Sequence, residues 1–193
     1  MSEPLTLAAL MDRLGRIAHA LQFSTGLNPA QWEALRYLGR ANRYSASPSA
    51  LARYLGCTKG TVSQTLISLE SKGYVNRVRG EPDGRSVRLE LTESGRTLLG
   101  EDPLKLMEAL ANGLPAEDRA AATTVTQRMI RELCAAQGLS EFGVCGECGH
   151  LVGCRGGDRA GEERDDRSTC GLTGEMLDAE ELDHICVNFR PVS

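Results

Sequence analysis

Pro48-Ser49-Ala50-Leu51-Ala52-Arg53-Tyr54-Leu55-Gly56-Cys57-Thr58-Lys59-Gly60-Thr61-Val62-Ser63-Gln64-Thr65-Leu66-Ile67-Ser68-Leu69-Glu70-Ser71-Lys72-Gly73 is the stretch whose reading decides the fold. It reads as two short helices joined by a tight turn. Ala50, Leu51, Ala52 and Leu55 give the first helix an apolar side, and Gly56 supplies the positive φ that ends it. Thr58 is a good N-cap for the second helix, which carries Val62, Leu66 and Leu69 at i, i+4 and i+7. Those three face a core and leave Lys59, Gly60, Thr61, Ser63, Gln64 and Ser68 outward. That face is small, polar and free of acids in its first two turns, unlike the Glu- and Lys-rich face of an ordinary solvated helix. It suits a major groove.

The following segment extends the argument. Tyr74–Arg79 and Ser86–Leu91 are strand-like, with Val87, Leu89 and Leu91 alternating against Arg88 and Glu90. Between them Glu81-Pro82-Asp83-Gly84 is turn chemistry. Helix, turn, helix and a two-stranded hairpin make a winged helix-turn-helix.

Several short motifs here resemble the MarR family of bacterial transcription regulators. They are Leu51-Ala52-Arg53-Tyr54-Leu55-Gly56, Thr61-Val62-Ser63, Leu69-Glu70-Ser71-Lys72-Gly73-Tyr74-Val75, Asp83-Gly84-Arg85 and Leu91-Thr92-Glu93-Ser94-Gly95, in family order and at family spacing. The similarity covers roughly residues 5–137. It implies a homodimer that binds double-stranded DNA at a palindromic operator, one recognition helix in each major groove. The DNA-contacting residues it implies are Lys59, Gly60, Thr61, Ser63, Gln64, Arg79 and Arg85. Arg85 at the wing tip reaches the neighbouring minor groove, and Asp83 orients it. Gln64 departs from the family, many of whose members carry a basic residue there, so the base read at that position differs.

The first helix is expected from about Leu5 to Gln22, with Leu7, Leu10, Leu14, Ile17 and Leu21 forming a seam. Such a seam either covers its own domain or, as the resemblance implies, intertwines with a second subunit. Asn28-Pro29 starts the next helix, with Trp32, Leu35 and Leu38 as core. Thr92 caps a helix after the wing, and Asp102-Pro103 bends or restarts it. Leu104, Met107 and Leu110 are expected to form another buried stripe. Pro115 opens a last helix, with Glu117 and Asp118 in its first turn, that stops at Gly138. The expected fold is therefore mainly α with a small β-wing. Residues 1–140 form a winged helix-turn-helix with a helical dimerisation base, and residues 141–193 a small cysteine-rich module.

Composition agrees. Hydrophobic residues make up 41% of the 193, enough for a core. No apolar run reaches membrane-spanning length and there is no secretory signal, so a cytoplasmic location without membrane contact is expected. The net charge of −4 is unevenly spread. Residues 51–96 hold eight Lys and Arg against five Asp and Glu, whereas residues 141–193 hold five against twelve. Only the local field meets phosphates, so a basic reading head beside an acidic tail is compatible with DNA binding.

Five of the seven cysteines lie in the tail, as Cys145-x2-Cys148, Cys154, Cys170 and Cys186. In a reducing compartment they read as metal ligands rather than disulfides. Gly153 to Ser168 is Gly-rich and charged and reads as a flexible loop, which sets Cys154 aside. Cys145, Cys148, Cys170 and Cys186 are then the ligand set, with His150 and His184 as potential replacements. Cys57 and Cys134 are read as packing residues. Four-cysteine Zn2+ is one reading, but a zinc ribbon normally brings two close pairs. One close pair followed by two single cysteines, with Phe189 after the last, resembles high-potential-type four-iron modules in order, at longer spacings. The pattern favours an iron–sulfur cluster, [4Fe–4S], over Zn2+.

No assembled catalytic triad is visible, and the chain does not read as an enzyme. It reads as a transcription regulator whose metal centre, joined directly to the dimer helix, modulates the spacing of the reading heads. In the alternative reading the tail is a structural zinc or interaction module, and a small-molecule effector binds between dimer base and reading heads. An electron-transfer role for the tail lacks any substrate or flavin motif.

Overall fold

The computed structural model describes residues 5–23, 26–79, 87–153 and 168–192. The turn 81–84, Asp83, Arg85 and Cys154 lie outside them, as does most of the Gly-rich insert. Among these residues seven α-helices run in order: α1 (Leu7–Leu21), α2 (Pro29–Arg40), α3 (Pro48–Tyr54), α4 (Lys59–Ser71), α5 (Glu93–Leu99), α6 (Lys105–Asn112) and α7 (Ala116–Gln137). The wing strands β1 (Val75–Arg79) and β2 (Val87–Leu91) separate α4 from α5 and pair antiparallel, Val75 with Leu91 and Arg79 with Val87.

Helix starts follow their caps. Asn28 and Gln31 form a reciprocal capping box on α2. Ser47, Thr58 and Thr92 each accept a backbone N–H in the first turn of α3, α4 and α5. Gly56 takes φ +60° in the turn between α3 and α4, where a Cβ would be strained. Gly95 is required for a different reason, because a Cβ there would overlap the Tyr74 carbonyl oxygen. Its absence lets α5 start directly against the wing.

The core is built around α2. Trp32, Leu35 and Leu38 are buried as expected, with Leu51, Val62, Leu66, Leu69, Val75, Leu89 and Leu91 packed beside them. Ser68 differs from expectation. Its Oγ accepts a hydrogen bond from Gln31 Nε2 at 2.7 Å, so it ties α4 to α2 instead of facing outward. Val87, at the outer end of the wing, is 38% exposed.

No residue of α1, α6 or α7 is buried. The expected α6 stripe is therefore not internal to this chain: Leu110 is 64% exposed. The α1 seam is also open, as is the α7 face carrying Ile130 and Leu133. These helices bear apolar faces that nothing in the described residues covers. Among the described residues no helix is long and apolar enough to cross a membrane.

Beyond α7 the chain turns at Gly138, in the left-handed conformation, and makes two small antiparallel sheets. β3 (Gly143–Val144) pairs with β7 (Ile185–Cys186), and β4 (Leu151–Val152), β5 (Ser168–Cys170) and β6 (Met176–Leu177) form the other. Cys145, Leu177 and Cys186 are the buried apolar residues of this segment's own cluster, while Ile185 joins the winged-helix core.

One ion pair fastens the α5–α6 junction to α2. Arg36 donates from Nε to Asp102 Oδ2 at 2.6 Å and from Nη2 to Oδ1 at 2.8 Å, while its Nη1 donates to Gln22 Oε1 at 2.9 Å. Burial works against the Asp102 carboxylate, but Arg36 and the Leu104 N–H outweigh it and hold its pKa below the usual range. The folded pKa is the lower one, so the pair's contribution is complete above an unfolded pKa of about 3.9 and is lost as pH falls through the folded value. Asp102→Ala should lower unfolding free energy at neutral pH by about 2 kcal/mol in urea titrations, the cost of leaving a mostly buried guanidinium unpaired.

Candidate nucleic-acid interface and cysteine cavity

Two surfaces carry the chemistry. The first is the open face of α4. Lys59, Gly60, Thr61 and Gln64 are exposed and Ser63 is half-buried at its edge. The Thr58 and Thr61 hydroxyls lie 2.9 Å apart, and the Thr61 N–H donates to Thr58 Oγ1, so the first turn is held rigid by its own cap. Lys59 and Ser63 also line a groove with Ser47, Ser49 and Arg77, bounded by α3, α4 and the wing. Arg77 is steadied by Glu70 at 3.1 Å. Arg79 ends β1 on the same wing. The result is a polar, mainly basic surface on a rigid frame. Ile67, 50% exposed one turn beyond Gln64, adds an apolar group that the sequence reading left unassigned.

The second is a cavity in the tail. Cys145, Cys148, Cys170 and Cys186 all line it, together with His150, Leu151, Leu177 and Asn188 from the tail and Asn42 and Tyr44 from the loop between α2 and α3. It is a small cavity of about 20 Å3, open on one side. The structure thus brings the four sequence-predicted thiols together and adds His150. His184 is not among the lining residues, and its carbonyl instead accepts the Cys145 N–H at 3.1 Å. Cys57 packs against the winged-helix core and Cys134 sits half-buried on α7, away from the cavity.

Hydrogen-bond donors point at three of the sulfurs. Asn42 Nδ2 donates to Cys145 Sγ at 3.4 Å and the Arg190 N–H to Cys148 Sγ at 3.4 Å. Cys186 receives the Cys145 thiol and the Asn188 N–H. The bond from Cys145, followed by the Asn188, Asn42 and Ser45 donors, lowers the Cys186 pKa against the effect of burial. The same bond, with burial, raises that of Cys145. Such N–H···S bonds stabilise thiolates and tune bound metals. Among the described residues, however, no group of three or more His, Cys, Asp and Glu side chains is gathered so as to hold a metal ion as it stands.

Asn42 and Ser45 are the functional residues that sequence reading missed. The segment 42–48 looks like a polar linker, and nothing local marks Asn42 as a partner for a cysteine 103 residues away.

Gly143 shows how tightly the tail closes. A Cβ there would overlap the Phe189 ring, which packs beside Cys186. Gly143→Ala should push Phe189 out, cost roughly 1–3 kcal/mol of local stability and speed protease cleavage within residues 141–192. Cleavage at the wild-type rate would show that the ring is accommodated elsewhere.

Comparison with known proteins agrees with the first surface. A sequence model described as MarR family matches residues 25–86. The transcriptional repressor MprA of Escherichia coli (strain K12) is 32% identical over 76 residues, 39% of this chain and 43% of that protein. The alignment therefore spans less than half the length of that relative. Among solved structures, an S. aureus MepR–DNA complex superposes with a TM-score of 0.57 at 20% identity, covering 67% of this chain and 99% of that one. Streptococcus pneumoniae FabT, solved in complex with DNA, gives 0.52 at 26% identity over 66% and 92%. Residues 25–86 of this chain therefore resemble the MarR family in sequence, and their fold is the winged helix-turn-helix of these solved structures.

Proposed function

We propose that this chain is a transcription regulator that binds a palindromic operator as a homodimer, and that a [4Fe–4S] cluster held by Cys145, Cys148, Cys170 and Cys186 modulates it. The observation that carries the DNA-binding part is the exposed, acid-free face of α4 beside a wing bearing Arg77 and Arg79. That MprA is a repressor, and that MepR and FabT were solved with DNA, supports direct readout by this face. Arg85, outside the described residues, is assigned to the minor groove in the same reading by the resemblance alone. The uncovered faces of α1, α6 and α7 support pairing with a second copy, because apolar area of this extent is otherwise left in water.

The cluster is supported by the donor set and its spacing. Four soft thiols line one cavity, with N–H groups aimed at three of them. Thiols in this order and spacing suit a four-iron cluster, with one zinc ion as the alternative occupant. When bound, the centre supplies the cross-link that the tail's small apolar cluster lacks.

Two variants test the two halves. Gln64→Ala should change the ranking of duplexes selected from a random library, by about 1–3 kcal/mol at one base pair, as read by fluorescence anisotropy at fixed salt. Equal weakening on every duplex would remove Gln64 as a base reader. Anaerobically purified protein should be coloured, with iron and sulfide in equal amounts, and Cys170→Ser should lose most of both. Colourless protein holding zinc overturns the cluster in favour of the structural-zinc reading. Full iron content in the variant removes Cys170 from the ligands.

A further inference from the structure

The cysteine cavity is not closed by the tail alone. One wall is the loop 41–47, which belongs to the winged helix and runs directly into α3. Ala41 forms a parallel bridge with Ile185, and the Asn42 N–H donates to the Ile185 carbonyl at 2.9 Å. Asn42 Oδ1 accepts from the Ser45 N–H at 3.0 Å and from Ser45 Oγ at 2.6 Å, while its Nδ2 reaches Cys145. Ser45 Oγ in turn accepts the Val187 N–H at 2.7 Å. Both side chains are buried, Asn42 at 4% and Ser45 at 0% exposure. On the surface Arg43 clasps Glu175 and Glu181, each at 2.8 Å.

The other side of the same loop holds the reading head. The Ser45 carbonyl accepts from the Tyr37 hydroxyl at 2.8 Å. The Ala46 carbonyl accepts from the Leu89 N–H of β2 at 2.8 Å. Ser47 caps α3, and α3 packs on α4. A single run of seven residues therefore touches the cavity, the wing and the helix-turn-helix.

Resting on the cluster reading above, we propose that the loop 41–47 relays the filling of the cysteine cavity to the recognition helix, so that the loaded chain holds DNA more tightly than the stripped one. A metal-bound thiolate is a stronger acceptor than a thiol, which strengthens the Asn42 bond and fixes the loop. With the cavity empty, the strand Ile185–Cys186 rests on a small apolar cluster of three buried and four half-buried residues, and its grip on Ala41, Asn42 and Ser45 weakens. The relay does not pass through the dimer helix. Reciprocity requires that DNA tighten metal retention by the same factor.

The test uses the full chain, stripped with chelator or reconstituted anaerobically with ferrous iron and sulfide, and in parallel with Zn2+. Loading should slow amide exchange over residues 41–55 and tighten binding to a selected duplex about tenfold. Ser45→Ala removes the Val187 and Asn42 contacts without replacing a ligand or a DNA-facing group, and should bring the loaded-to-stripped affinity ratio close to one when compared per bound metal. Arg43→Ala, on the surface, should lower the ratio partway and serves if Ser45→Ala folds poorly. A chain that takes up neither iron nor zinc overturns the cofactor reading. Uptake with unchanged exchange at 41–55 and unchanged DNA affinity leaves that reading in place and overturns the relay. So does a wild-type ratio in both variants.

Discussion

A buried asparagine and a buried serine hold the two parts of this molecule together. The side chains of Asn42 and Ser45 bond to each other, to the segment carrying Cys186 and to Cys145. Buried polar groups left without partners cost about 1–3 kcal/mol each, so the contact is sharply specified once it forms. The dependence is asymmetric. The winged helix has a large core centred on Trp32 and Leu35, whereas the described tail residues bury Cys145, Cys148, Leu177 and Cys186 and lend Ile185 to their neighbour. The tail needs the winged helix far more than the reverse.

The parts legible in the sequence are those fixed by local chemistry. Caps at Asn28, Ser47, Thr58 and Thr92, the positive φ of Gly56 and the period of Val62, Leu66 and Leu69 act over a few residues, and a reader of the chain can weigh them. The four cysteines of the cavity were legible for a related reason, because thiols in that number and order have few other uses. What stayed hidden depends on distance. Ser68 looked outward until Gln31, 37 residues earlier, was placed beside it. Leu110 looked internal because an apolar stripe announces that it needs a cover and says nothing about which chain provides one. Asn42 carries no pattern at all, since its role comes from a strand beyond the far end of α7.

The acidic balance of residues 141–193 takes on a structural meaning beside Arg43. Glu175 and Glu181 use part of that charge to grip one arginine at the edge of the winged helix. Exposed pairs of this kind contribute little to stability. Two carboxylates on one guanidinium nevertheless fix the orientation of β6 and the turn after it against the loop, where small errors would misalign the cavity wall. The negative field of the tail is thus partly neutralised where it adjoins the winged helix.

The parallel bridge between Ala41 and Ile185 also dictates an order of events during synthesis. Residue 41 leaves the ribosome well before residue 185, and the winged helix can complete its core before its partner strand exists. Docking of the tail is then a late step that closes a long loop, with an entropic cost that grows only slowly with length. Contacts made after the rate-limiting barrier affect how fast a structure comes apart more than how fast it forms. Changes at Asn42, Ser45 or the clasp therefore act on the lifetime of the docked tail while leaving the assembly rate of the winged helix almost untouched. The nascent chain acquires its winged helix first and its cysteine-lined appendage second.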